Sequence, residues 1–259
     1  MKQYLPAIRA VARYTALEAL RTRYGWLLLL VSLSGFGLVA FAGQLAITES
    51  GQIQATLTAA VLRLGTVFLL ALFIITSVQR DFSDKSVDIM LSLALPRTGY
   101  YLGKLAGYAL IAAFTALPVM CLIVFLAPFP QSLLWSLSLF LELLIVCAAS
   151  LVFAFSFTQV TAAIGAFSGF YLLSRSIAAM QLMSKSPLID EGSLSTQVIR
   201  QLVNGLAYLL PDLDRFTCSD WLIYAEPAGQ QLALLSAQTC IYLLLLSAVA
   251  LFDLQRKNF

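Results

Sequence analysis

Apolar residues fall in six long blocks along the chain. Residues 26–44, 57–78, 105–127, 132–155, 159–182 and 230–252 hold few or no charges. Each is close to the ~20 residues that cross a hydrocarbon core of ~30 Å. The pattern predicts an all-α, polytopic bundle of six transmembrane helices. The charge-free stretch 105–141 is too long for one span. Pro128-Phe129-Pro130-Gln131 splits it into a tight hairpin, since proline supplies no backbone donor. Ser156-Phe157-Thr158-Gln159 predicts a weaker break between the fourth and fifth spans.

Three polar stretches have their own periodicity. Over residues 2–23, Leu5, Ile8, Val11, Ala12 and Ala19 share one helical side, and Lys2, Arg9, Arg13 and Arg21 share the other. That arrangement predicts an amphipathic helix at the headgroup level. Over 79–104, a helical register sets Arg80, Asp84 and Asp88 four apart, and likewise Asp81 and Lys85. Opposite charges then neighbour each other. Val87, Met90, Leu91 and Ala94 form an apolar stripe that Pro96 ends, and Arg97 and Lys104 follow at the return to the membrane. A solvated loop has no need of such a stripe; a short helix resting on the membrane or in a partner's cleft does. The long segment 183–229 sets Val198, Leu202, Leu206 and Leu209 on one helical side. It reads as a helix on the leaflet surface or a rim over a path. Its Asp212, Asp214 and Asp220 read as solvated acids, and no metal site is expected.

Charge placement predicts orientation. Residues 1–24, loop 79–104 and the tail hold eleven of the sixteen basic residues. The positive-inside rule then puts both termini in the cytoplasm, as an even number of crossings requires. Loop 183–229 instead collects acids.

Composition narrows the chemistry. Hydrophobic residues make up 60% and charged residues 11%, against about 45–50% and 25% in soluble domains. Histidine is absent, which removes Ser-His-Asp, Cys-His and H-E-x-x-H chemistry. Cys121, Cys147, Cys218 and Cys240 form no C-x-x-C pair. The nearest string to a P-loop, Thr98-Gly99-Tyr100-Tyr101-Leu102-Gly103-Lys104-Leu105, has the wrong first and last residues. The chain itself is not expected to be an enzyme, to hold a cofactor or to bind nucleic acid.

Three ionisable residues fall within spans: Arg63, Glu142 and Arg175. Such residues usually face the bundle interior or a path. The arginines can alternatively snorkel to headgroups. Glu142 lies nearer mid-membrane and has the choice of pairing with either arginine or staying protonated. On the fifth span, Gly165-x-x-x-Gly169 permits close helix approach, within one copy or between two.

Arg80-Asp81, Asp84 to Leu95, Pro96-Arg97 and Leu102-Gly103-Lys104-Leu105 together resemble ABC-2-type permeases. Leu209-Leu210-Pro211-Asp212-Leu213-Asp214-Arg215-Phe216 and the terminal Leu254-Gln255-Arg256-Lys257-Asn258-Phe259 are similar to their NosY-like branch. Many members carry Glu-x-Gly-Thr where this chain has Asp84-Lys85-Ser86-Val87. The resemblance implies a type V exporter permease in the bacterial inner membrane, working as a homodimer with two copies of a cytoplasmic ATPase that holds ATP and Mg. It makes residues 1–24 a connecting helix, with Arg9, Arg13 and Arg21 on its basic side, ahead of a six-helix domain over 25–259. It makes 79–104 the coupling loop, with Arg80, Asp81, Asp84, Lys85, Asp88, Met90, Leu91, Pro96 and Arg97 against the ATPase. A non-transporting membrane scaffold of the same architecture and a secondary transporter stay open as alternatives.

Overall fold

The computed structural model describes residues 5–45, 50–84, 96–184, 194–217, 220–223 and 229–256. No strand occurs among them. The helices are α1 (Leu5–Arg21), α2 (Tyr24–Leu45), α3 (Ser50–Ser83), α4 (Arg97–Val124), α5 (Phe129–Ser156), α6 (Val160–Ser184), α7 (Leu194–Leu209), α8 (Asp220–Ile223) and α9 (Gly229–Arg256). A 3-10 turn at Asp214–Thr217 precedes α8. Helices α2, α3, α4, α5, α6 and α9 are long and apolar enough to cross a membrane. The chain is a multi-pass α-helical membrane protein.

The most apolar of the six, α5, has a mean hydropathy of 2.5 and forms the centre of the bundle. It is buried on every face from Ile145 to Val152, because α3, α4, α6 and α9 all pack on it. Helices α2 and α9 lie at the periphery and leave most of their apolar surface uncovered. A bundle in lipid tolerates this, since the outward face meets hydrocarbon rather than water.

Two predicted boundaries move. Loop 79–104 is helical at both ends, because α3 continues to Ser83 and α4 begins at Arg97. Pro96 is the extended N-cap of α4, at φ −64° and ψ 147°, where its missing donor costs nothing. The side-chain amide of Gln79 holds the last turns of α3 in place, donating to Ala154 O at 2.9 Å and Phe157 O at 2.6 Å. The hairpin between α4 and α5 sits a few residues earlier than expected, at Phe125–Pro128, and Pro130 belongs to the first turn of α5. The break at 157–159 falls where the sequence places it.

Helix α1 packs on protein along one side. Val11, Ala12, Thr15 and Ala19 are buried, and α1 packs along α4. A Cβ built on Gly103 would lie 2.8 Å from Val11 Cβ and 3.1 Å from Ile8 O. One on Gly107 would lie 2.7 Å from Thr15 Cβ and 2.9 Å from Ala12 O. Contacts advance together along both chains, so α1 and α4 run in the same direction. The small-xxx-small spacing of Gly99, Gly103 and Gly107 lets the two backbones meet. The middle of the apolar side of α1 is thus spent on protein, while Leu5, Arg9, Arg13 and Arg21 stay exposed.

By contrast, Gly165 and Gly169 on α6 have nothing within 4 Å of a built Cβ among the described residues. In α7 the stripe Val198, Leu202, Leu206 and Leu209 is exposed. Gly107→Val is therefore expected to lower stability by about 1–3 kcal/mol, the usual cost of overpacking. Gly165→Ala should be neutral or stabilising by up to ~1 kcal/mol, the helix-propensity difference. Thermal melting of the two variants in detergent checks the contrast.

Candidate functional site: two buried ion clusters on one helix

Helix α3 carries two ion clusters, one near its C-terminal end and one around Arg63, 13 residues in from Ser50. The first sits beside the break that follows Ser83. Successive turns of α3 present Ser77 and Asp81 on one face. Lys104 of α4 faces them with no exposed surface. Its Nζ lies 2.5 Å from Asp81 Oδ2 and 3.9 Å from Glu18 Oε2 of α1. Ser77 Oγ donates to Glu18 Oε1 at 2.9 Å, and the hydroxyl of Tyr108 donates to Ser77 Oγ at 3.1 Å. The hydroxyl of Tyr100 donates to Asp81 Oδ2 at 3.2 Å. The ammonium also stands 5.7 Å from the Tyr108 ring centroid, within cation–π range. One buried cation therefore joins α1, α3 and α4.

Further contacts tie the remaining helices at this end. Arg97 Nη1 donates to Leu254 O at 2.9 Å and Gln255 O at 2.7 Å. It thereby caps orphan carbonyls of α9 and places positive charge at that C-terminus. Ser156 Oγ donates to Asp253 Oδ2, and Tyr101 OH donates to Ser247 Oγ at 2.8 Å.

This placement divides the residues expected against a partner. Arg80 and Asp84 are exposed at the tip of α3. Asp81 faces inward to Lys104, because the earlier start of α4 brings Lys104 to its level. Arg97 likewise faces α9. Lys85, Asp88, Met90 and Leu91 lie outside the described residues.

The second cluster surrounds Arg63, 18 residues before Asp81. At 1.5 Å per residue the two lie about 27 Å apart along α3, close to a bilayer's hydrocarbon thickness. Arg63 is 1% exposed and Glu142 of α5 is fully buried. Arg63 Nη1 lies 3.3 Å from Glu142 Oε2 and also donates to Phe216 O in the 3-10 turn. Nη2 donates to Ser138 Oγ at 2.7 Å and to Trp135 O at 3.2 Å. The guanidinium lies 4.6 Å from the Trp135 ring centroid. The hydroxyl of Tyr171 on α6 donates to Glu142 Oε1 at 2.8 Å.

Arg63 therefore does not snorkel; its planar fork is turned inward, where several acceptors match it. Of the two candidate partners, Arg63 is the one Glu142 takes. Arg175 is half-buried one turn beyond Tyr171, and its Nη1 makes no hydrogen bond to a described residue. The chain around the 3-10 turn is drawn into the bundle here, with Leu213 and Phe216 buried and Leu213 N donating to Ser174 O at 3.2 Å. Asp212 pairs with Arg215 at 2.7 Å. No group of three or more His, Cys, Asp or Glu side chains is placed to hold a metal among the described residues.

Sequence reading missed Glu18, Ser77, Gln79, Tyr108, Ser138 and Tyr171. Only Glu18 carried a signal, as the lone acid in the basic stretch 1–24. No protein-family model and no curated protein matches the chain.

Each cluster joins several helices through ion pairs and hydrogen bonds. Glu142→Leu should destabilise the protein by about 3–5 kcal/mol, because it leaves a buried guanidinium without its carboxylate. Arg63→Met with Glu142→Leu should recover most of that loss in thermal melting. An equal loss in the single and double variants contradicts the pairing.

Proposed function

We propose that the chain is the permease subunit of an ATP-driven exporter of ABC-2 type. It works as a homodimer in a bacterial inner membrane, both termini in the cytoplasm, with two copies of a separate ATPase. Six membrane-crossing helices support this reading, as does the enrichment of basic residues in 1–24, 79–104 and the tail.

One observation carries it. Segment 85–95 is bracketed by partners in a single buried ion pair, with Asp81 four residues before it and Lys104 nine residues after it. A force applied to that segment reaches α3 and α4 together, and α1 through Glu18. Helix α3 then carries the displacement to the Arg63–Glu142 cluster, which meets α5, α6 and the 3-10 turn. The ATPase seats against segment 85–95 and the exposed tip of α3, with Arg80 and Asp84 as its charged contacts. ATP hydrolysis takes place on that partner, and this chain converts it to helix movement.

Co-purification with an ATPase and stimulation of its turnover test the reading. Arg80→Glu with Asp84→Lys should abolish the complex and leave melting unchanged, since both side chains are exposed and such surface changes usually stay within about 0.5 kcal/mol. An undiminished complex and undiminished stimulation overturn the docking assignment. A complex whose cellular role survives loss of ATP hydrolysis in the partner identifies a scaffold instead.

A further inference from the structure

An open groove of about 660 Å³ lies at the elbow between α1 and α2, within the ~300–1,000 Å³ of small-molecule sites. Its floor is apolar: Leu28 and Leu29 of α2 face Phe114, Leu117 and Pro118 of α4. Arg21 and Arg23 stand at its mouth, both exposed, and no acidic residue lines it among the described residues. The nearest acid in sequence, Glu18, is engaged by Ser77 and Lys104.

Two polar features mark the wall. Ser32 is 8% exposed, and its hydroxyl has no hydrogen-bond partner among the described residues although it lines the groove. A buried hydroxyl left unpaired costs free energy. Pro118 lies inside α4 and has no N–H, so the carbonyl of Phe114 loses its helical donor.

From this geometry we infer that the elbow groove binds one anionic phospholipid. Its phosphate lies between Arg21 and Arg23, an acyl chain runs over Leu28, Leu29, Phe114 and Leu117, and Ser32 donates to a lipid oxygen. Charge complementarity selects this occupant. A zwitterionic lipid fills the apolar floor equally well and also carries a phosphate, but its ammonium group cancels that charge and leaves the two guanidinium groups without a net counter-charge. The site also accounts for how the elbow is held at the membrane. Val11, Ala12, Thr15 and Ala19 of α1 are buried, so these residues do not reach lipid. The exposed Leu20, Trp26 and Leu29 and the two arginines anchor it instead.

Trp26 lines the groove and is 76% exposed, whereas Trp135 and Trp221, the other two tryptophans, are buried. Its emission therefore reports on lipid at this place. The full chain is reconstituted in phosphatidylcholine bilayers doped with brominated phosphatidylglycerol or, separately, brominated phosphatidylcholine. At equal and limiting bromine content, the anionic probe should quench more strongly. Two basic residues at about fivefold each give roughly a 25-fold preference.

Arg21→Gln with Arg23→Gln should bring the two probes to equal quenching, and so should high salt. Trp26→Phe should remove the quenchable emission. Unchanged emission of Trp135 and Trp221 in unbrominated bilayers shows that each variant is folded. Equal quenching by both probes in the unmodified chain overturns the site. So does a preference that survives the double arginine variant. Absence of quenching by either probe overturns it too, and shows that something other than lipid, such as a second copy of the chain, covers the groove.

Discussion

A lysine ammonium enclosed by protein has to be paired, and the pairing of Lys104 organises one end of this molecule. Its partners come from two other helices, Asp81 on α3 and Glu18 on α1. Desolvating a charge costs several kcal/mol, and only good geometry offsets it. The ammonium therefore fixes the register of α3 against α4 and of both against α1. The close approach of α1 depends on Gly103 and Gly107, since a Cβ at either would meet the α1 backbone. Gln79 and Arg97 extend the same arrangement to the ends of α5 and α9.

Helix α3 links this end to the second cluster. An α-helix resists axial compression, so two points about 27 Å apart on one helix move largely as a unit. At one point a cation from α4 holds α3. At the other, a cation of α3 is held by α5 and by the turn at Phe216. The two clusters are of opposite design, and together they connect most of the bundle. In the proposed permease, this helix would separate the surface that the ATPase pushes from the helices that move. The groove at the α1–α2 elbow adds an attachment to the bilayer on the side of α1 that α4 does not cover.

Much of this architecture was legible in the sequence, because hydropathy and proline act locally. The six spans, the break at 157–159 and the amphipathic character of α1 and α7 all followed from composition over short windows. Arg80 and Asp84 were legible as exposed charges four apart. Asp81, Arg97 and Lys104 were not. Each looked like part of a charged loop, and only the packing of α4 against α3 and α9 turned them inward. Glu142 was legible as an intramembrane acid, but its choice of Arg63 over Arg175 was not. Ser138, Tyr171 and Trp135 complete that choice, and they belong to other turns and helices. The glycine spacing at 99, 103 and 107 was visible but meant nothing until α1 was seen against it.

The pairing of Lys104 with Asp81 is the contact on which this account rests, and a double-mutant cycle measures it directly. Denaturation in mixed micelles would compare the unmodified chain with Lys104→Met, Asp81→Leu and the two together. Asp81→Leu should cost about 3 kcal/mol, because it takes the nearer carboxylate from a fully buried ammonium. Lys104→Met should cost about 1–3 kcal/mol, because it leaves Asp81 and Glu18 without their cation. The double change should cost clearly less than the sum, with a coupling of at least ~2 kcal/mol. Single losses that add to within about 0.5 kcal/mol would show two independent residues. The central claim, that one ion pair locks α3 to α4, would then be wrong.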